Sequence, residues 1–146
     1  MKSKTHIYMA NLIAGDLTKY GSLTLPGVGT FTPPADVIDA IKAYPGAFRV
    51  GAVGPDFYPD MLLGQTVIHA EDSGKWLSRL FAEYGRLPSN APDRKKCYAY
   101  ILGVMMHYAG DMYGHHYVNN WARGWWEYSE DTEKLKISSF PLQKVN

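Results

Sequence analysis

The segment HYAGDMYGHH, residues 107–116, places three side chains that can ligate a metal four residues apart. They are His107, Asp111 and His115, and His116 follows directly. On an α-helix, residues four apart lie on one face, with Cβ atoms roughly 5–6 Å apart. Zinc binds imidazole nitrogens and carboxylate oxygens. If the segment is helical, the row therefore predicts a metal site.

A purely structural interpretation of the same row stays open. His107 could be a hydrogen-bonded core histidine, and Asp111 a surface or capping residue. Three glycines lie along the same strip of the helix, at Gly103, Gly110 and Gly114. Each interior glycine costs about 1 kcal/mol of helix propensity relative to alanine. Three on one strip therefore indicate that the space beside the helix backbone is needed for another group. Either another helix packs very closely against the strip, or a site lies against the backbone.

Further candidate ligands lie outside this segment. His6 begins a first helix in THIYMANLI, Asp56 lies in the loop GPDFYPD, and His69 follows that loop. Six nitrogen or oxygen ligands would suffice for two ions. The six are His6, Asp56, His69, His107, Asp111 and His115. The single cysteine, Cys97, is more simply a small core residue than a ligand.

Apolar spacing predicts an all-α protein. The predicted helices cover residues 6–14, 36–44, 73–84 and about 92–114, with Gly15, Pro45-Gly46 and Gly85 as stop signals. The segments 20–34 and 49–60 are rich in glycine and proline, which predicts loops. No alternation of apolar and polar residues persists for five residues, so no strand is predicted.

Length and composition favour one domain of ordinary globular type. The chain has 146 residues, of which 46% are hydrophobic and 20% charged, and a chain of this length can bury a sufficient core. We expect residues 1–128 to form a helical metal-binding domain and residues 129–146 a polar C-terminal tail or appendage. The formal net charge of +1 gives no sign of a basic surface for polyanions.

The sequence contains no recognisable targeting or nucleophile motif. Its start, MKSKTHIYMANLIAGDL, has no apolar run of signal-peptide length, and no run approaches the ~20 apolar residues of a membrane span. A single cysteine favours a reducing compartment. We therefore expect a cytoplasmic protein, with export by another route left open. Without a GxSxG or GxxxxGKS/T pattern, a serine nucleophile and a nucleotide phosphate loop have no support.

Taken in order along the chain, the candidate residues resemble the zinc-dependent phospholipase C family. That family also includes the single-strand-specific nucleases and the glycosylphosphatidylinositol phospholipase D catalytic domain. The matching pieces are Thr5-His6, the Pro55-Asp56 loop, His69, the His107-x-x-x-Asp111 helix and the following His115. The resemblance spans roughly residues 5–120. Each piece alone is weak, but the ordered set is fairly specific.

The resemblance implies a compact helical bundle with a trinuclear zinc cluster at one end of the helices. The first zinc would have four ligands, Asp56, His69, His107 and Asp111. A second zinc would be bound by His6 and by Asp111, which bridges the two ions. His115 would be the first ligand of a third ion, with His116 as its close alternative. Asp56, which would position or deprotonate the water, and the bridging Asp111 would be the catalytic carboxylates.

Two departures from the family pattern are visible. In secreted members the mature N-terminal residue binds zinc, whereas five residues precede His6 here. The family's third zinc takes a further histidine and a glutamate downstream, whereas no histidine follows His116. We therefore expect a relative that lacks the C-terminal part of the family domain and binds two or three zinc ions. A partner chain is one way to complete the third site.

The implied function is a zinc-dependent phosphodiester hydrolase, phospholipase C-like, that uses a metal-activated hydroxide on a phospholipid or related phosphate ester. One alternative is a catalytically silent metal-binding or lipid-binding helical module that works with a partner chain. A second is a nuclease, which the near-neutral net charge slightly disfavours. Trp121, Trp125 and Trp126 could hold a choline-like head group, lie at a lipid interface, stack on bases or pack a final helix.

Overall fold

A computed structural model describes residues 3–57, 73–121, 126–127 and 136–137, with side chains within residues 3–57 and 74–115. The helices are α1 (Ser3–Tyr20), α2 (Ala35–Ala43), α3 (Pro45–Val53), α4 (Ser73–Arg86) and α5 (Arg94–Trp121). A 3₁₀ turn, Gly54–Phe57, follows α3. The short strands are β1 (Leu23–Leu25), β2 (Gly29–Phe31), β3 (Trp126–Glu127) and β4 (Lys136–Ile137). The predicted all-α class is confirmed.

Residue contacts divide the chain into two units. One consists of residues 2–109, and the other of residue 1 with residues 110–146. The boundary falls within α5, which is a single continuous helix of 28 residues. The first unit contains α1 to α4 and the first half of α5, and it carries the core described below. The second contains the last turns of α5 and the hairpin of β3 and β4, in which Trp126 pairs with Ile137.

Helix α1 runs further than the sequence predicts. The expected end at Gly15 is wrong, because the helix continues through that glycine to Tyr20. Its buried residues are His6, Ala10, Ala14 and Leu17. Spacings of three and four keep them on one stripe, while Gly15 lies exposed with open space around it. Burial of the stripe outweighs the ~1 kcal/mol propensity cost of one glycine, and the helix ends instead before Gly21, which has φ 67°.

Helix α3 occupies part of a segment predicted to be a loop. Helix α2 lies within one residue of its predicted bounds. The loop prediction for residues 49–60 is wrong up to residue 57, because α3 and the 3₁₀ turn occupy that stretch. Pro45 lies in the first turn of α3, where its fixed φ favours the helix and its missing N–H costs no hydrogen bond. It therefore begins one helix as well as ending another.

Helices α3 and α5 cross with their backbones in contact. A Cβ atom added to Gly51 would lie 2.0 Å from the carbonyl oxygen of Tyr100. A Cβ atom added to Gly103 would lie 2.1 Å from the carbonyl oxygen of Phe48. Both distances are far shorter than a carbon–oxygen contact allows, so only glycine fits at the crossing. For Gly103, close helix packing is therefore the reason for a glycine.

Small side chains dominate the core of the first unit. Its buried members are Ala10, Ala14, Leu17, Ala40, Ile41, Phe48, Ala52 and Ala99. Five of these eight are alanines, and short side chains at a contact let helix axes approach closely. The core thereby holds α1, α2, α3 and the first half of α5 against one another. The polar residues described below are positioned by this packing.

The prediction that residues 20–34 form an irregular loop without strands is wrong in part. Strands β1 and β2 pair in an antiparallel hairpin, with Leu23 opposite Phe31 and Thr24 opposite Thr30. The turn between them uses Gly27 at φ 75°, a conformation that glycine adopts without strain. Each strand has three residues, which is too short for a pattern of alternating residues to be recognised.

Helices α4 and α5 both extend beyond their predicted ends. Helix α4 ends one residue after Gly85, and α5 continues past Gly114 to Trp121. The two helices are tied near their junction by Arg94. Its guanidinium donates to the carbonyl oxygens of Tyr84, at 3.0 Å, and Leu87, and lies 4.3 Å from the centre of the Tyr84 ring. Within the described part of the chain, no helix is both long and apolar enough to cross a lipid bilayer.

Candidate metal centre

Two histidines meet in the interior of the first unit. His6 belongs to the first turns of α1 and His107 to α5, and neither side chain is exposed to solvent. Their rings stack with centroids 4.0 Å apart and an interplanar angle of 24°. The buried stripe of α1 accounts for the position of His6, because it lies four residues before Ala10 on the same face. Two buried imidazoles in contact offer two nitrogen donors from different helices.

The tautomer of His107 is fixed by a backbone carbonyl. Its Nδ1 lies 2.9 Å from the carbonyl oxygen of Ala52 on α3. A carbonyl oxygen only accepts hydrogen bonds, so Nδ1 carries the hydrogen and donates it. In the neutral ring Nε2 is then the electron-pair donor, an arrangement typical of histidines that ligate metals. The glycine contact between Gly51 and Gly103 brings the backbone of α3 close enough for this bond.

Asp111 adds a carboxylate one helical turn after His107. It is 7% exposed. One potential ligand atom from each of His6, His107 and Asp111 lies within 4.8 Å of the other two. Buried charged groups in proteins are generally paired or bound to metals, and two imidazoles with one carboxylate form a donor set that suits zinc. The residues present therefore fit a zinc ion by their chemistry and by their burial.

His115 lies next to this cluster. Its Nε2 is 3.4 Å from Oδ1 of Asp111, and its side chain is 59% exposed. In this position it contacts the carboxylate instead of joining the group of three ligand atoms. The i, i+4, i+8 row predicted from the sequence is therefore present on α5, but its members differ sharply in burial.

Asp56 approaches the start of α1 from the 3₁₀ turn. The hydroxyl of Ser3 donates to Oδ2 of Asp56 at 3.3 Å, and Ser3 precedes His6 by three residues on α1. Asp56 is half-buried and lies outside the group of three ligand atoms that are within 4.8 Å of one another. Ser3 was not among the predicted site residues, because a serine near a terminus carries no distinctive spacing.

Two predicted ligands lie outside what the structure describes. His69 is outside the described residues, and for His116 only the helical backbone is described. The sequence analysis also did not identify the carbonyl of Ala52 as a partner of His107. Gly51, directly before Ala52, could have indicated a close helix contact, but it lies in a segment that was predicted to be a loop.

A tyrosine next to the centre stays protonated. The ring of Tyr108 lies edge-on to that of His107, with centroids 5.7 Å apart. Burial, and to a smaller degree Tyr100, raises the pKa of Tyr108 to about 12. The phenol is therefore neutral at physiological pH and adds no negative charge near the histidines.

A comparison with known protein families agrees with the geometry. The model of the zinc dependent phospholipase C family matches residues 5–131 of the 146. The match includes every residue of the cluster as well as Asp56 and His115. No curated protein and no solved structure matches the chain. Since the matched stretch is most of the sequence, the chain belongs to the zinc-dependent phospholipase C family.

Proposed function

We propose that this protein is a zinc-dependent phosphodiester hydrolase of the phospholipase C type, acting on a phospholipid or a related phosphate ester. The observation that carries the proposal is the buried group of His6, His107 and Asp111. Membership of a zinc-dependent family supports the hydrolase class. The fixed tautomer of His107 supports a role in metal binding, because it leaves the lone pair of Nε2 available to a metal ion.

Each residue of the cluster has a distinct role in the proposal. His107 and Asp111 would hold a first zinc ion through a ring nitrogen and a carboxylate oxygen, and His6 and Asp111 would hold a second, so that Asp111 would be shared by both. When bound, zinc lowers the pKa of a water molecule toward ~7 and draws electron density from the phosphoryl oxygens. The second ion is inferred from the family resemblance.

Asp56 is proposed to position or deprotonate the attacking water. Its carboxylate accepts a hydrogen bond from Ser3, which helps to hold the side chain in place at the start of α1. The 3₁₀ turn that carries Asp56 directly follows α3, whose carbonyl orients His107. One short segment thus supports both a metal ligand and the proposed base.

His69, His115 and His116 complete the proposed set of ligands. His69 joins the first zinc site, and His115 or His116 begins a third. The contact between His115 and Asp111 supports a place for His115 at the edge of the centre. We propose two or three zinc ions per chain, and a partner chain as a source of ligands for the third.

Substitution of Asp111 by Asn tests the proposed function. Asn keeps the shape of the side chain but removes the charge needed to bridge two ions, so we expect phosphodiesterase activity to fall by at least ~100-fold. The matched control is Asp39→Asn, because Asp39 is exposed on α2. Activity is measured on purified zinc-loaded protein with phosphatidylcholine in mixed micelles.

A parallel assay on single-stranded DNA distinguishes phospholipase C activity from nuclease activity. Hydrolysis of phosphatidylcholine that Asp111→Asn abolishes and Asp39→Asn retains would support the proposal. Equal activity of the two variants would show that Asp111 has no bridging role. Loss of folding in Asp111→Asn, seen by circular dichroism, would indicate a structural metal instead.

A further inference from the structure

The first unit contains a cavity that the proposed zinc chemistry does not use. It has a volume of about 800 Å³ and lies between α3, α4 and α5. Its walls include Ala47, Val50, Leu80, Tyr84, Cys97 and Ile101. None of the lining residues is a member of the histidine cluster. The volume is within the range of ~300–1,000 Å³ that is usual for sites that bind small molecules.

The walls favour an apolar ligand. Most of the lining side chains are aliphatic or aromatic, so a bound apolar group would lose its contact with water. The lining residues on α5 begin at Lys96 and end at Ile101, which corresponds to ~8 Å along the helix axis. A cavity of about 800 Å³ with this span has room for a flexible chain of several methylene groups, which can bend to follow the walls.

The charged residues around the cavity do not favour an anionic head group. Glu83, Asp93 and Lys96 are the charged lining residues. The carboxylate of Glu83 forms an ion pair with Arg86. Asp93, directly before α5, and Lys96, in its first turn, carry opposite charges and lie three residues apart. With no excess of positive charge, the opening suits a neutral or zwitterionic head group better than a carboxylate.

We propose that this cavity binds one aliphatic chain of a neutral or zwitterionic amphiphile. The site does not depend on zinc or on hydrolysis, because its walls share no residue with the metal cluster. It is nevertheless close to that cluster, since Ile101 precedes His107 by ~9 Å along α5. Tyr100 also lines the cavity, and its hydroxyl lies 3.1 Å from where a Cβ of Gly54 would be, next to the turn that carries Asp56.

The single cysteine provides a direct readout of occupancy. Cys97 lines the cavity and is the chain's only thiol, so its rate of alkylation by iodoacetamide, followed by mass spectrometry, reports access to this space. The probes are alkylphosphocholines of eight to twelve carbons and dodecanoate, all below their critical micelle concentrations. We expect the phosphocholines to slow alkylation in the full chain, both with zinc and after treatment with a chelator.

Two variants on the same helix give the specificity control. Val50→Trp fills the cavity from α3, and Arg49→Trp adds the same side chain at an exposed neighbour that does not line it. We expect dodecylphosphocholine to bind Val50→Trp at least ~10-fold more weakly than the parent chain, and Arg49→Trp about equally. Circular dichroism and thermal melting establish that both variants fold.

Chain length distinguishes a bounded cavity from adsorption to the surface. Affinity should rise about fourfold with each added methylene and then level off when the cavity is full. That plateau, together with protection of Cys97 and the loss in Val50→Trp, would support the proposal. Unchanged alkylation, or equal binding by both tryptophan variants, would overturn it. Stronger binding of dodecanoate than of dodecylphosphocholine would overturn the assignment of the head group.

Discussion

At the scale of single residues, the centre depends on what holds the imidazole of His107. Its Nδ1 donates to the carbonyl of Ala52 and its ring stacks on that of His6. The sequence predicted that His107 and Asp111 share a face, because helical spacing alone determines this. It could not predict the tautomer, since the accepting carbonyl belongs to a residue 55 positions away in the chain. Such long-range contacts leave no local pattern.

We expect His107→Gln to weaken zinc binding more than His115→Gln does. The first change removes a ring nitrogen of a fully buried ligand and should lower affinity by more than ~100-fold. His115 is 59% exposed at the edge of the centre, so its replacement should lower affinity by less. Competition with a chromogenic chelator measures both. Equal losses in the two variants would contradict the larger role that we assign to buried His107.

Tyr98 should make the stability of the fold depend on pH in the alkaline range. Burial raises the pKa of Tyr98, and the nearby carboxylate of Asp36 and the phenol of Tyr84 raise it further. The unfolded phenol ionises near pH ~10, so above that pH the unfolded state loses a proton that the folded state retains. The stabilisation is therefore complete below pH ~10 and is lost as the pH rises through the folded pKa.

The variant Tyr98→Phe should remove this part of the alkaline loss of stability. Urea unfolding between pH 9 and 11 measures the slope of the free energy of unfolding against pH, and we expect a shallower slope than in the parent chain. Tyr8→Phe serves as control, because Tyr8 is 63% exposed on α1. A slope in Tyr98→Phe that matches the parent chain would contradict the assignment.

At the scale of elements, the positions of glycine and proline explain which predictions failed. Gly15 was predicted to end the first helix and the last was predicted to end at about Gly114, but α1 and α5 continue through them. Gly51 was assigned to a loop, although it permits the contact between α3 and α5. At Gly15 and Gly51 tertiary packing outweighed a local preference of about 1 kcal/mol. The long helices were predicted because their apolar residues are regularly spaced. Their ends were not predicted correctly, because they depend on tertiary packing.

The glycine contact predicts opposite effects for the same substitution. Gly103→Ala and Gly51→Ala place a methyl group into backbone atoms and should each destabilise the fold by about 1–3 kcal/mol. Gly15→Ala should stabilise it by up to about 1 kcal/mol, because its surroundings are open. Urea unfolding measures all three. We also expect weaker zinc binding in the two crossing variants, since the carbonyl of Ala52 would move away from His107.

The comparison among the three alanine variants decides whether the crossing matters. Similar free energies of unfolding for Gly103→Ala and Gly15→Ala would show that the helices do not touch at glycine. A Gly103→Ala variant that is destabilised but binds zinc with unchanged affinity would show that the close packing of α3 is not needed to orient His107.

At the scale of the whole molecule, metal binding should be linked to folding. The three clustered residues come from α1 and α5, which are far apart in the sequence, and an unfolded chain does not hold them together. A ligand that binds the folded state alone stabilises it by about 2.7 kcal/mol at a free concentration 100 times its dissociation constant. We therefore expect zinc to raise the melting temperature and a chelator to lower it, with a smaller shift in His107→Gln at the same zinc concentration.

Elemental analysis tests most directly whether this chain holds zinc. The sample is untagged protein, purified without chelator and checked for folding by circular dichroism. We expect two or three zinc ions per chain in the parent protein and fewer in His107→Gln and Asp111→Asn. A well-folded parent protein that binds no zinc, even after dialysis against the metal, would contradict this expectation and return the buried histidines to a structural role.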